Sequence, residues 1–195
     1  PVAGDLENGF GDSPEDAADT IRLAAAAGLV GGSIEDASGD AARPIYDEGH
    51  SVERVAAAAE AARALPFPFV LVGRAENYLH GRPDLDDTIR RLQAFERAGA
   101  SALFAPGLTR AEDIRLVCSS VSRPVNVVMG IKGVRLSVDE LAALGVRRIS
   151  LGASLCRAAI AGLLKAAREI REQGTFGYAD DAVQYAEIKP LLAGR

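Results

Sequence analysis

The 195 residues predict a parallel α/β fold, and three observations carry that expectation. Short, β-rich apolar runs alternate with longer alanine-rich segments of helical period. A weak internal repeat, seen in "AAAAGLVGGSIED", "RAGASALFAPG" and "ALGVRRISLGAS", ends a helix at glycine and begins a strand two or three residues later. Polar residues collect after several different strands rather than at one turn. A series of about six β-then-α units gives a parallel sheet covered on both faces.

The elements follow in order. The first run, Pro1–Asp5, leads to a helix over Asp16–Ala27 whose start is written in "SPED", with Ser13 as N-cap and Pro14 at the first helical position. The second, Val30–Ile34, leads to a helix over Val52–Ala64 that Ser51 is expected to cap. After the third, Phe67–Val72, Asp84 or Asp86 caps a helix over Asp87–Ala98. Ala102–Phe104 precedes a helix over Ala111–Val121 with a capping box of Thr109 and Glu112. Pro124–Val128 precedes Val138–Leu144 with a box of Ser137 and Glu140. The last run, Arg148–Leu151, precedes the long helical stretch Leu155–Gln173. Gly28, Gly99 and Gly145 are the expected left-handed helix stops.

No G-x-G-x-x-G turn follows the first strand, so a dinucleotide fold lacks its fingerprint. Asp5 and Glu7, Glu35 and Asp36, Arg74 and Glu76, and Asn126 instead stand at the ends of separate strands, as in a (β/α)8 barrel. The expected fold is therefore a TIM-like barrel. With six units where a barrel has eight, and a start on a strand at Pro1, it is expected to be an N-terminally incomplete one, short of about 60 residues. Residues 1–173 form the expected barrel domain, and 174–195 a linker with a short amphipathic helix.

The net charge of −5 argues against nucleic acid and anionic membranes as partners. No apolar run approaches the roughly 20 residues that span a bilayer, and no signal-peptide pattern opens the chain. The expected compartment is the cytoplasm, with Cys118 and Cys156 as buried free thiols.

Asp5, Glu7 and Glu35 are helix caps, solvated charges or metal ligands. Other residues already serve the helix starts, so these three have no local capping role. Three acids converging on one barrel mouth repel one another unless a cation holds them. With no His or Cys beside them, the all-oxygen set favours Mg²⁺ or Mn²⁺ over Zn²⁺. Arg74 is suited to hold a carboxylate or phosphonate bidentately. A cation beside an arginine suggests chemistry on an α-oxo acid through a metal-stabilised enolate. Asp36 and Glu76 either orient these groups or form structural salt bridges.

Six segments, "DLENGFGDSPED", "GLVGGSIEDASG", "FVLVGRAENYLHGRPDLDDTIRR", "APGLTRAEDI", "PVNVVMG" and "GVRRISLGASL", resemble the isocitrate lyase/phosphoenolpyruvate mutase superfamily from Pro1 to about Gln173. The resemblance implies a barrel whose third strand is the first one here. It maps Asp5 to the main Mg²⁺ ligand, with Glu7 and Glu35 as further ligands. Arg74 maps to the arginine that binds the substrate carboxylate, and Asn126 lies near the substrate with Glu76. The last barrel helix is exchanged between protomers in that family, which implies a homodimer or homotetramer. Ile160, Leu163, Leu164 and Ile170 form an apolar stripe that core packing explains equally well.

Isocitrate and methylisocitrate lyases of that family carry a "K-[KR]-C-G-H" loop. This chain reads "DASGDAARPIYDEGH", without cysteine or lysine, so cysteine-based isocitrate cleavage is not expected. His50 is read as a solvated pre-helix residue. His80, in "NYLHGRPD", is either a loop residue or an acid/base at the mouth, and Tyr46 stands in an expected gating loop. Lys132, between two glycines, suggests a mobile loop. Arg74, His80 and Tyr46 are the candidate catalytic residues. The expected activity is Mg²⁺-dependent C–C cleavage of a small 2-oxo or 2-hydroxy diacid, oxaloacetate decarboxylase-like. The alternatives are P–C chemistry, as in a phosphonopyruvate hydrolase or phosphoenolpyruvate mutase, and a non-catalytic oxo-acid binder.

Overall fold

The computed structural model describes residues 1–193. Contacts divide the chain into two units, Pro1–Ser150 and Leu151–Arg195. The first is a six-stranded, all-parallel sheet with its helices in alternation: β1 (Ala3–Asp5), α1 (Pro14–Ala26), β2 (Gly31–Glu35), α2 (Glu48–Arg63), β3 (Val70–Arg74), α3 (Leu85–Ala98), β4 (Ala102–Phe104), α4 (Ala111–Ser120), β5 (Val125–Val128), α5 (Val138–Ala143) and β6 (Arg148–Ser150). Strand order along the sheet is β1 to β6, and β1 and β6 are its edges. These are the parallel strands of an incomplete TIM-like barrel. The second unit holds α6 (Ser154–Gln173), a 3₁₀ turn over Gly177–Asp181 and α7 (Tyr185–Leu192), so α6 groups with the residues that follow it.

Burial explains why the apolar runs are strands. Ile34, Leu71, Leu103, Val125 and Val127 are all buried, as a parallel sheet covered by crossover helices requires. Helices α1 and α2 pack against each other and bring small residues, Ala17, Ala18, Ala58, Ala59 and Ala62, to the core beside Ile21 and Val55. On β3, a Cβ at Gly73 would lie 2.9 Å from the Cβ of Phe95, so glycine there lets α3 sit close against the sheet. Gly28, Gly99 and Gly145 hold φ of 93°, 111° and 98°, the left-handed stops the sequence predicts.

Ser13 with Asp16 and Ser137 with Glu140 form reciprocal capping boxes, and Asp84 rather than Asp86 caps α3. Two expectations are corrected. Asp47, not Ser51, caps α2: its carboxylate accepts the His50 amide, and the helix begins a turn earlier. Ser51 lies buried inside that helix, its hydroxyl donating to the Asp47 carbonyl at 2.8 Å. The Thr109–Glu112 box does not form. Helix α4 starts at Ala111, which makes Arg110 the N-cap and puts Thr109 out of frame, and Glu112 pairs with Arg110 instead.

The thiols are also less enclosed than expected. Cys118 is half-buried and Cys156 exposed, the latter because α6 carries no buried residue. Ile160, Leu163, Leu164 and Ile170 are likewise exposed. Among the described residues no helix is long and apolar enough to cross a membrane.

Candidate active site

Parallel pairing decides which side chains meet. Register partners point to the same face, and Glu35 pairs with Arg74, Arg74 with Phe104, and Phe104 with Asn126. Asp5 pairs with Ser33, two residues before Glu35, so it shares that face. A line of functional groups thus crosses the carboxyl ends of β1 to β5.

Arg74 is its centre. Its Nη1 lies 3.0 Å from Asp5 Oδ2 and 3.1 Å from Glu35 Oε2, and its Nε donates to Glu76 Oε1 at 2.5 Å. The guanidinium carbon stands 5.2 Å from the Phe104 ring centroid, a cation–π contact that supports its remaining face. The Glu35 and Glu76 side chains are only 12% and 5% exposed, whereas that of Asp5 is 65% exposed. Burial opposes charge on Arg74, but Glu35, Glu76 and Asp5 outweigh it and raise its pKa.

A second buried pair lies behind the first. Asp36 Oδ1 accepts the Glu76 amide at 2.7 Å and Oδ2 accepts Arg91 Nη1 at 3.0 Å. Arg91 also donates to Asp87 at 2.8 Å and to the Tyr46 carbonyl at 2.9 Å. Asp36 therefore ties the main chain after β3 to α3.

Burial pushes the Glu35 carboxyl up to about 7; Arg74 pulls it back, and Glu76, Asp5 and Asp36 add to the rise. Asp36 is pushed up to about 6 by burial, against the Glu76 amide and Arg91. A carboxyl whose pKa is raised on folding holds a proton that the unfolded chain has already released. Its contribution is complete below the unfolded value and declines as pH rises through the folded one. In EDTA, the melting temperature is expected to fall as pH rises from about 4.5 to about 7, the window set by Glu35. A Glu35→Gln chain should show a shallower fall. A wild-type profile that climbs steadily through that window would contradict the assignment.

The other expected site residues are distributed as follows. His80 Nε2 stands 3.8 Å from Glu76 Oε2, which places an imidazole beside the carboxylate that holds Arg74. Asn126 is buried; its Nδ2 donates to Ser150 Oγ at 3.0 Å and its Oδ1 has no partner. Glu7 has φ of 49°, donates its amide to Asp5 Oδ1 at 3.2 Å and accepts the Glu35 amide on its carbonyl at 3.0 Å. Among the described residues no group of three His, Cys, Asp or Glu side chains is placed to hold a metal ion, so Asp5, Glu7 and Glu35 are not assembled as a triad. Asp5 and Glu35 do converge, and the cation between them is Arg74.

Tyr46 is turned toward the loop after β1. Its hydroxyl donates to Asp12, its ring lies 5.0 Å from that of His50, and Arg54 stands 4.8 Å from its centroid. His50, which the sequence places as a solvated pre-helix residue, is inside α2 with Nε2 at 2.8 Å from the Asp12 carbonyl. Lys132 is exposed on the loop between β5 and α5.

Arginine and carboxylates facing one another at the carboxyl ends of parallel strands are the arrangement of a barrel-type α/β fold. Residues 1–171 match the model of the phosphoenolpyruvate phosphomutase family. The chain belongs to that family, within the isocitrate lyase/PEP mutase superfamily, whose members are lyases and mutases. A crystal structure of a Burkholderia cenocepacia J2315 protein described as a lyase/mutase is 60% identical, with a TM-score of 0.96 over 100% of this chain and 70% of that one. The crystal structure of 2,3-dimethylmalate lyase, a member of the same superfamily, is 25% identical, with a TM-score of 0.79 over 91% of this chain and 62% of that one. The oxaloacetate decarboxylase of Rhodopseudomonas palustris (strain BisB5) is 29% identical over 178 residues, 88% of this chain and 59% of that protein.

Proposed function

We propose that the chain carries the substrate-anchoring part of a Mg²⁺-dependent carbon–carbon lyase acting on a small 2-oxo or 2-hydroxy diacid, in the manner of an oxaloacetate decarboxylase. The observation that carries this reading is Arg74, held by Asp5, Glu35 and Glu76 at the ends of three adjacent strands. Its guanidinium is fixed before substrate arrives, so a substrate carboxylate meets a preorganised partner. Similarity to an oxaloacetate decarboxylase supports the choice of substrate class.

The donor set suits the metal. The carboxylates of Asp5 and Glu35 both reach the same guanidinium nitrogen of Arg74, so the two stand close enough that they would share Mg²⁺. Mg²⁺ takes one or two carboxylates and keeps several waters, so two carboxylates suffice. When bound, Mg²⁺ supplies a Lewis acid that polarises the 2-oxo group.

The chain's own groups do the rest. Arg74 binds the carboxylate beside the oxo group and neutralises it. For oxaloacetate, the bond from C3 to the departing carboxylate breaks, carbon dioxide leaves, and the electron pair remains as the enolate of pyruvate. His80, which stands beside Glu76, delivers a proton to C3. Asn126 offers an unpartnered amide oxygen from β5. The exposed apolar residues of α6 support assembly as a homodimer or homotetramer.

A second reading, P–C cleavage of a phosphonopyruvate-type substrate, draws on the match to the phosphomutase family. Proton NMR of the protein with Mg²⁺ and either oxaloacetate or phosphonopyruvate separates the two. Pyruvate formation from oxaloacetate is expected to exceed the spontaneous rate and to fall to it in Asp5→Ala. Turnover of phosphonopyruvate alone would install the second reading. Turnover of neither would point to an oxo-acid binder.

A further inference from the structure

The segment between β1 and α1, residues 6–13, is held in a shape its sequence does not favour. Glu7 and Phe10 have φ of 49° and 57°, the left-handed region that costs a residue with a Cβ about 1 kcal/mol or more, and Gly9 between them has φ of 82°. Such a shape persists only where surrounding groups over-determine it.

The group that does so is Arg54, in the middle of α2. It is 1% exposed, and its guanidinium holds main chain: Nη1 donates to the carbonyls of Asp12 and, at 3.0 Å, Ser13, while Nη2 donates to the carbonyl of Asn8. Its Nε is buried without a partner. Neighbouring contacts reinforce the hold. Thr20 Oγ1 donates to the Gly9 carbonyl at 2.7 Å, His50 Nε2 meets the Asp12 carbonyl, and Tyr46 covers the guanidinium face. Burial lowers the Arg54 pKa, so a charge is kept here against an unfavourable environment.

The loop that Arg54 grips touches the acidic groups through its main chain. Asn8, whose carbonyl it holds, directly follows Glu7, and the main chain of Glu7 binds both Asp5 and the Glu35 amide. We infer that Arg54 is a positioning residue that sets the alignment of Asp5 and Glu35 toward a divalent cation through the main chain of Glu7, by clamping the carbonyls of Asn8, Asp12 and Ser13. The inference rests on the metal reading above. The planar fork of an arginine reaches three carbonyls on two sides, which a lysine ammonium cannot do.

The test uses Mn²⁺ alone as probe, titrated into the protein and followed by electron paramagnetic resonance, with no turnover required. Arg54→Met is expected to weaken Mn²⁺ binding at least tenfold, and Arg54→Lys at least threefold. Ile21→Ala, which opens the core under α1 and removes no hydrogen bond to the loop, should keep the wild-type affinity after an equal drop in melting temperature. Amide exchange over Asn8–Ser13 should be at least tenfold faster in Arg54→Met and unchanged in Ile21→Ala. Affinities of both Arg54 variants within twofold of wild type overturn the inference, as does an equal loss in Ile21→Ala. If Arg54→Met does not fold, Arg54→Lys decides alone. A wild-type chain that binds no Mn²⁺ overturns the metal reading itself, and is distinguished by appearing before any substitution is made.

Discussion

Turnover is expected to fall by about three orders of magnitude when Arg74 is replaced by methionine, because in the proposed function the residue anchors the substrate, and it also pairs with three carboxylates. The structural cost is separate and also large. Glu76 has a side chain 5% exposed and Glu35 one 12% exposed, and both lose their cation together. Removing one partner of a buried pair costs about 3–5 kcal/mol, since the remaining charge is stranded. The loss should be smaller at pH 5 than at pH 8, because Glu35 escapes the penalty by taking up a proton. Arg74→Lys should fall between, since an ammonium serves one or two of the three acids but cannot present a planar fork to all of them. Urea unfolding at the two pH values and steady-state kinetics measure the two effects. A tenfold or smaller fall in kcat/KM for Arg74→Met would remove Arg74 from the centre of the site.

The second large effect is expected at Arg91. Asp36 has a side chain with no exposed surface, and its counter-ion is Arg91 on α3. Arg91→Met leaves that carboxylate with the Glu76 amide as its remaining donor and leaves the Tyr46 carbonyl without its guanidinium partner. The expected cost is about 3–5 kcal/mol at neutral pH. Combining it with Asp36→Asn should recover much of that, because an amide oxygen still accepts the Glu76 N–H while the stranded charge is gone. A double-mutant cycle in urea reads the coupling. A cost below about 1 kcal/mol for Arg91→Met would show that water reaches Asp36 and relieves it.

Much of the fold was legible because its signals are local. An apolar run covered on both faces, a glycine at a left-handed stop, and a serine or aspartate three residues before an acid are short-range patterns, and β4 was placed to the residue. Where two local signals compete, a pattern does not say which wins. Asp47 outbid Ser51 by starting α2 earlier, and Arg110 displaced Thr109 by a shift of one residue. Asp5, Glu35 and Arg74 stood out because strand-end charges had no cap to serve. Arg54 and Arg91 did not, since an arginine inside an amphipathic helix reads as part of its wet face. Their burial comes from partners 41 to 55 positions away, such as Ser13 and Asp36, which no window of sequence contains. Tyr46 was expected in a gating loop, and its bond to Asp12 lies outside any window for the same reason, spanning 34 positions.

The strand order along the sheet is also the order along the chain. Every hydrogen-bonded neighbour is therefore the next strand to be synthesised, and no strand waits for a distant one. Each β-to-β step closes a loop of roughly 20 to 35 residues, and because the closing entropy grows only with the logarithm of length, these differ by a few tenths of a kcal/mol. The cost of adding a unit accordingly stays level from the first pairing to the last. Each paired strand offers a ready-made edge to the next, so docking can follow the direction in which a ribosome delivers the chain.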